Sequence, residues 1–363
     1  MRAFLLASLI SVSLGLNAQD ATAPDGSRYW GPLRDGKPHG LGRLISPNGS
    51  VYTGEFYDGL FHGSGRIEMS NGEILEGQFV EGQMTSRGPA RRGAPGDLEA
   101  ERRQVALDVE SALLAQRPLL DAALASLTPR SPGKPNLFVL AVAGDGSQDV
   151  FRREVEYVRA QFDRDFGTRG HSVALVNGRG LADRAPMATL ASMREALRAI
   201  AARMDRDNDI LFLFLTSHGT REHELVLNQG GMLLRGLRPA DLAGLLKDSG
   251  IRWKAVVVSA CYGGGFLDAL RDERTLVIAA ARHDRQSFGC TEEAEFTWFG
   301  RAFFKDALAA SGSFEEAFRK AQALVAEREA GKKIAVNERS LPQISSPRPI
   351  SEQLKRWWPQ SGN

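Results

Sequence analysis

Two apolar runs, Ile210 to Leu215 and Ala255 to Val258, lack the alternation of a strand with one wet face. Runs of that kind suit strands buried on both sides, the habit of parallel sheets. Both stop abruptly, the first in Thr216-Ser217-His218-Gly219 and the second in Ser259-Ala260-Cys261-Tyr262-Gly263-Gly264. From Asn136 onward, strand and helix patterns alternate around them. Leu137 to Val142 reads as a strand, Val150 to Phe166 as a helix, Val173 to Val176 as a strand and Ala188 to Met204 as a helix. After the strand ending at His218 come a hairpin over Leu225 to Leu234 and a helix opened by Pro239. The strand ending at Cys261 is followed by a strand, Leu276 to Ala280, and by helices over Phe299 to Ala309 and Phe314 to Glu329. The pattern predicts an α/β domain over residues 136–330, with a mainly parallel sheet and helices on its faces.

The first quarter of the chain repeats itself with a period of 23 residues. Tyr29, Tyr52 and Leu75 open successive units, Gly31, Gly54 and Gly77 come two positions later in each, and Asn48-Gly49 matches Asn71-Gly72. Such recurrence predicts a stacked all-β array of short hairpins over residues 29–84. The units resemble MORN repeats, which implies an interaction module for a protein or lipid partner. His39 and His62 recur without a second ligand beside them, so packing rather than metal binding is expected of both. Residues 85–135 read as linker with a helical segment: Thr85 to Gly96 is rich in glycine, proline and arginine, and Asp97 to Leu127 has helical spacing with a break at Pro118. Residues 331–363 read as a tail, with Lys332-Lys333 in a loop.

Composition narrows the function. A chain of 363 residues, 42% hydrophobic and 25% charged, has room for such domains, and a net charge of +2 offers no field for nucleic acid. Met1-Arg2, the apolar stretch Ala3 to Leu16 and Leu16-Asn17-Ala18 read as a signal peptide over residues 1–18, pointing to a periplasm or the cell exterior. No later run is long enough for a membrane span. Cys261 and Cys290 are the two cysteines, and an oxidising compartment leaves open that they form one disulfide.

The candidate chemistry is a cysteine nucleophile beside a histidine base. A thiol attacks carbonyls as thiolate, and a histidine within hydrogen-bond reach supplies that form near neutral pH. Cys261 and His218 stand 43 positions apart, enough for one hairpin and one crossover helix between neighbouring strands. Backbone amides at Gly219 and Cys261 would then receive an oxyanion. Buried packing at both strand ends is the alternative. His171, His223 and His283 are expected in surface or loop roles.

On these residues, with Ala279-Ala280-Ala281, Ser287-Phe288-Gly289-Cys290 and Trp298-Phe299-Gly300, residues 136 to about 330 resemble legumain-type cysteine peptidases, the asparaginyl endopeptidases and glycosylphosphatidylinositol transamidases. The resemblance implies a caspase-like α/β/α sandwich, a Cys/His dyad formed by Cys261 and His218, a polypeptide substrate, and neither metal nor organic cofactor. It also places Ser259 where the family carries a pocket glutamate, Arg301 where it carries an aspartate, and Arg152 at its pocket arginine. Ser259 and Arg152 are thus the implied substrate-binding residues. Loss of both acids beside a retained Arg152 suggests cleavage after Asp or Glu, with Asn the family's choice and a helix-surface charge the other reading of Arg152. The family's histidine-orienting asparagine falls at Val150, next to Asp149. An exported cysteine endopeptidase is the expectation. A transpeptidase or amidase with the same dyad, and a non-catalytic scaffold, are its alternatives.

Overall fold

The computed structural model describes residues 20–87, 98–229, 232–291 and 294–358. The expected signal peptide and most of the Thr85 to Gly96 linker lie outside the described residues. The chain divides into two compact units, one holding the repeats and one, from Ala112 onward, holding the α/β fold.

In the first unit, β1 (Asp20–Thr22) and β2 (Arg28–Trp30) precede a two-residue ladder of β3 (Leu33–Arg34) and β4 (Lys37–Pro38). Then come β5 (Gly40–Ile45), β6 (Val51–Tyr57), β7 (Leu60–Glu68), β8 (Ile74–Val80) and β9 (Gln83–Arg87). They form one antiparallel sheet in the order β1-β2-β5-β6-β7-β8-β9. The repeat has a steric meaning. The buried Tyr52 ring lies across Gly54 and Gly65, where a Cβ would stand 2.7 and 2.3 Å from its hydroxyl, and Tyr29 lies the same way across Gly31 and Gly42. Bare backbone is therefore the groove that receives each ring. Tyr52 also stacks on Phe61, ring centroids 3.8 Å apart, and its hydroxyl donates to the Glu55 carbonyl at 2.8 Å. His39 and His62 are buried against Tyr57, and His39 Nδ1 accepts the Asp58 N–H at 3.3 Å.

The long helix α1 (Leu98–Ala125) passes through Pro118 without the expected break. Pro118 is on the exposed side, so the helix forgoes one N–H bond where water can serve the facing carbonyl. Its second half is clamped by Gln116, which donates to the carbonyls of Ala182 and Ala185 at 2.7 and 2.8 Å and accepts the Met187 N–H at 2.7 Å.

Next along the chain are β10 (Leu137–Ala143), α2 (Asp149–Asp165), β11 (Ser172–Val176), α3 (Leu190–Ala201) and β12 (Ile210–Thr216). The hairpin is reduced to β13 (Asn228–Gln229) and β14 (Met232–Leu233), and α4 (Pro239–Ser249) leads into β15 (Trp253–Ser259). A short α5 (Phe266–Ala269), β16 (Thr275–Ala279), α6 (Trp298–Gly300), α7 (Phe314–Gly331), β17 (Gln343–Ser345) and α8 (Arg348–Trp357) complete it. The helix begun by α6 widens into a π-helix over Arg301–Ala307.

The large sheet has the order β11-β10-β12-β15-β16-β17, parallel throughout except for β17. Period-two alternation divides its side chains between two cores. Val139 and Ala141 of β10, with Phe212 and Phe214 of β12, pack against α2, α7 and α8. Phe138, Leu140, Leu211 and Leu213 pack against α3 and α4 on the other face. The result is a caspase-like α/β/α sandwich. The chain leaves β10 toward β11 on one side and returns to β12 on the other, so the carboxyl ends of β10 and β12 flank a topological switch point, where such sheets place their sites. The segment after 330, read as a tail, belongs to the fold: β17 pairs with β16, and Ile350, Leu354 and Trp357 of α8 are buried in the α2-side core.

Candidate active site

The register of β12 against β15 brings His218 and Cys261 to matching positions beyond neighbouring strands. Thr216 pairs with Ser259, and His218 and Cys261 each lie two residues beyond that pair. Adjacent strands stand roughly 4.8 Å apart. Both side chains are buried, His218 at 2% and Cys261 at 6% exposure. A Cβ at Gly219 would come within 2.1 Å of the Cys261 carbonyl oxygen. Only glycine lets the two loops approach so closely.

Around Gly219 the backbone is bonded through its neighbours. The Val226 N–H donates to the His218 carbonyl at 3.0 Å and the Thr220 N–H to the Glu224 carbonyl at 2.9 Å, while Gly219 faces Leu225 across the bridge they make. In that antiparallel pattern the Gly219 N–H points away from Leu225. That bridge therefore leaves the Gly219 N–H unused.

Gln148 is the residue that sequence reasoning missed. It precedes α2 in the loop after β10, is 2% exposed, and its Oε1 accepts from His218 Nε2 at 3.1 Å. With Nε2 carrying the proton, Nδ1 is the basic nitrogen of the ring. Phe151 braces the imidazole edge-on, ring centroids 4.9 Å apart. Val150, where the family's asparagine was expected, is instead fully buried in the apolar core. The available signal was a run of small and polar residues, Gly144 to Gln148, at a strand end. We predict that Gln148→Ala lowers kcat by about tenfold or more through a loosened imidazole. Gln148→Glu should move the acid limb of the rate profile upward, because a carboxylate favours the imidazolium. Steady-state kinetics across pH check both, and an unchanged kcat in Gln148→Ala contradicts them.

The thiol has its own support. Cys261 Sγ accepts the Ser287 N–H at 3.3 Å and lies 3.5 Å from the Ser287 carbonyl, to which a neutral thiol can donate. The turn after it is tight: Tyr262 has φ 55°, its N–H donates to the Arg285 carbonyl at 2.7 Å, and Gly264 donates to the Ala281 carbonyl at 2.8 Å. Cys290 is not bridged to Cys261. Burial pushes the Cys290 thiol well up, with further repulsion from Cys261, Glu154 and Asp145.

Beneath the pair lies a buried acid. Glu154 of α2 accepts the Thr216 hydroxyl at 2.6 Å and both the N–H and hydroxyl of Thr297 at 2.7 Å. Thr297 Oγ1 is 3.2 Å from Ser259 Oγ, so the network joins the strand ends that carry His218 and Cys261. Burial raises the Glu154 carboxyl despite those three bonds. Ser259, assigned to the substrate by resemblance, points into this network and is 1% exposed. Arg152 lies half-buried on α2, bonded to Glu156 at 3.0 and 3.1 Å and paired with Asp149 at 3.3 Å. Its neighbour Arg153 reaches the loop before α6, donating to the Ala294 carbonyl at 2.7 Å.

Residues 198–345 match the Peptidase C13 family, and residues 33–51 and 52–74 match the MORN repeat. No curated protein matches the chain. The Peptidase C13 match spans β12, β15 and the loops bearing His218 and Cys261, and it supports a cysteine-type peptidase or transamidase. Among the described residues no helix is long and apolar enough to cross a membrane.

Proposed function

We propose that the α/β unit is a thiol-dependent endopeptidase in which Cys261 is the nucleophile and His218 the base. The observation that carries this reading is the shared register of the two residues beyond Thr216 and Ser259, with Gln148 holding the imidazole. His218 takes the thiol proton as sulfur adds to the peptide carbonyl, and the amides of Gly219 and Cys261 receive the oxyanion. Collapse expels the amine, which leaves with the proton from His218. Water then attacks the thioester and gives its proton to His218; the C–S bond breaks to release the acid, and the freed Cys261 thiolate takes that proton back.

At the cleaved position the reading favours asparagine over an acidic residue. Asp149 and Glu156 beside Arg152 offset its pull on a substrate carboxylate, whereas a neutral amide loses nothing by their charge. We assign the MORN repeats to recruitment of a protein or lipid partner and residues 1–18 to export into a periplasm or the exterior.

Acyloxymethyl ketone peptides ending in Asn, Asp or Lys, with the modified site mapped by mass spectrometry, test the proposal. Labelling of Cys261, fastest with the Asn probe, is the expected result. No labelling of Cys261 overturns it in favour of a scaffold, and ligated product formed on adding an amine to a cleavable peptide overturns hydrolysis in favour of transpeptidation.

A further inference from the structure

We propose that His223, which is outside the reacting pair, is a positioning residue that fixes the turn carrying the Cys261 thiol. The inference deepens the thiol-peptidase reading and rests on it. Tyr262, next to the nucleophile, holds φ 55°, a left-handed conformation that a bulky residue keeps only when its surroundings enforce it. His223 Nδ1 stands 3.2 Å from the Tyr262 carbonyl oxygen and can act only as donor to it. The same carbonyl accepts the Gly265 N–H at 3.0 Å, so it is gripped from two sides.

The position of His223 is itself enforced. Its φ is 63°, and the turn that forces it is closed by its own N–H donating to the Thr220 carbonyl at 2.9 Å. That turn begins directly after His218-Gly219. The imidazole then lies against Gly265, where a Cβ would meet its ring carbon at 2.2 Å. Glycine at 265 is what admits the ring. Arg221 of the same turn sits over the Tyr262 ring, 6.0 Å from its centroid. The loop after the catalytic base thus reaches back over the loop that carries the nucleophile, and among their contacts is a hydrogen bond between two left-handed residues. Losing it leaves the Tyr262 carbonyl held by the Gly265 N–H without its second donor, and loosens with it the direction of the Cys261 side chain. The hydrolytic step, not substrate affinity, should suffer.

Two replacements separate this role from ordinary packing. Asparagine tolerates a positive φ and presents an amide N–H at the place of Nδ1, whereas glycine tolerates the φ and presents nothing. His223→Asn should keep most of the wild-type kcat, and His223→Gly should lose about 10- to 100-fold in kcat with KM nearly unchanged. The rate of Cys261 alkylation by iodoacetamide, followed by mass spectrometry, should order the variants in the same way. Equal damage in both variants, a change confined to KM, or an undisturbed His223→Gly would overturn the proposal. Because alkylation needs no peptide, it reads the positioning role even if wild-type protein fails to hydrolyse peptides, which separates failure here from failure of the endopeptidase reading.

Discussion

Cys261→Ala is expected to abolish peptide hydrolysis, a loss on the order of 10⁴-fold or more, and His218→Ala to do nearly the same. The two losses should not add, because each residue acts through the other: without its base the thiol is mostly neutral, and without the thiol the base has nothing to deprotonate. Cys290→Ser should keep activity, since burial and neighbouring negative charge push the Cys290 thiol up and away from the thiolate form. Turnover of a fluorogenic peptide, with thermal melts to confirm folding, checks all three. Loss in Cys290→Ser equal to that in Cys261→Ala would mean the nucleophile has been misassigned.

The strand ends could be read from the chain because their cause is local. A strand buried on both faces has to be apolar throughout, so Ile210 to Leu215 and Ala255 to Val258 announce themselves, and the residues next in the chain form the rim of the sheet. Repeat units are also local, since each Tyr ring needs its glycine groove a fixed distance along the chain. Gln148 was not readable in this way. Its role depends on how the loop after β10 folds over His218, 70 residues later, and counting along the family pattern led to Val150 instead. The end of the chain escaped differently: β17 has only three residues, while α8 did carry a legible signal, Pro349 in its first turn and Ile350, Leu354 and Trp357 at helical spacing, that the reading of a tail passed over. Their place is set by β16 and the α2-side core, which no local pattern contains. Arg152 had two readings, substrate partner and helix-surface charge, and its ion pairs to Glu156 and Asp149 of its own helix are ones that the spacing along α2 already allows.

Glu154 is where stability and site geometry meet, and its pH dependence can be worked out. Its carboxyl is raised in the folded protein, first by burial, against the bonds from Thr216 and Thr297. The folded state therefore binds the proton more tightly than the unfolded chain, whose glutamate titrates near roughly 4.3. Linkage gives the sign: the stabilising contribution is complete below that unfolded value and is lost as pH rises through the folded one. Glu154→Gln has no such proton to lose. Its amide oxygen can still accept from the Thr297 N–H and hydroxyl, and its NH₂ can donate to Thr216 Oγ1. In urea titrations the wild type should thus lose stability relative to Glu154→Gln between acid and neutral pH, and parallel curves would show an ordinary, ionised carboxylate. Glu154→Ala leaves the Thr297 N–H buried without its acceptor and opens a cavity, a cost of about 3 kcal/mol or more at any pH. Because Thr216 and Thr297–Ser259 lead to His218 and Cys261, that variant should also lose kcat, while Glu154→Gln keeps it.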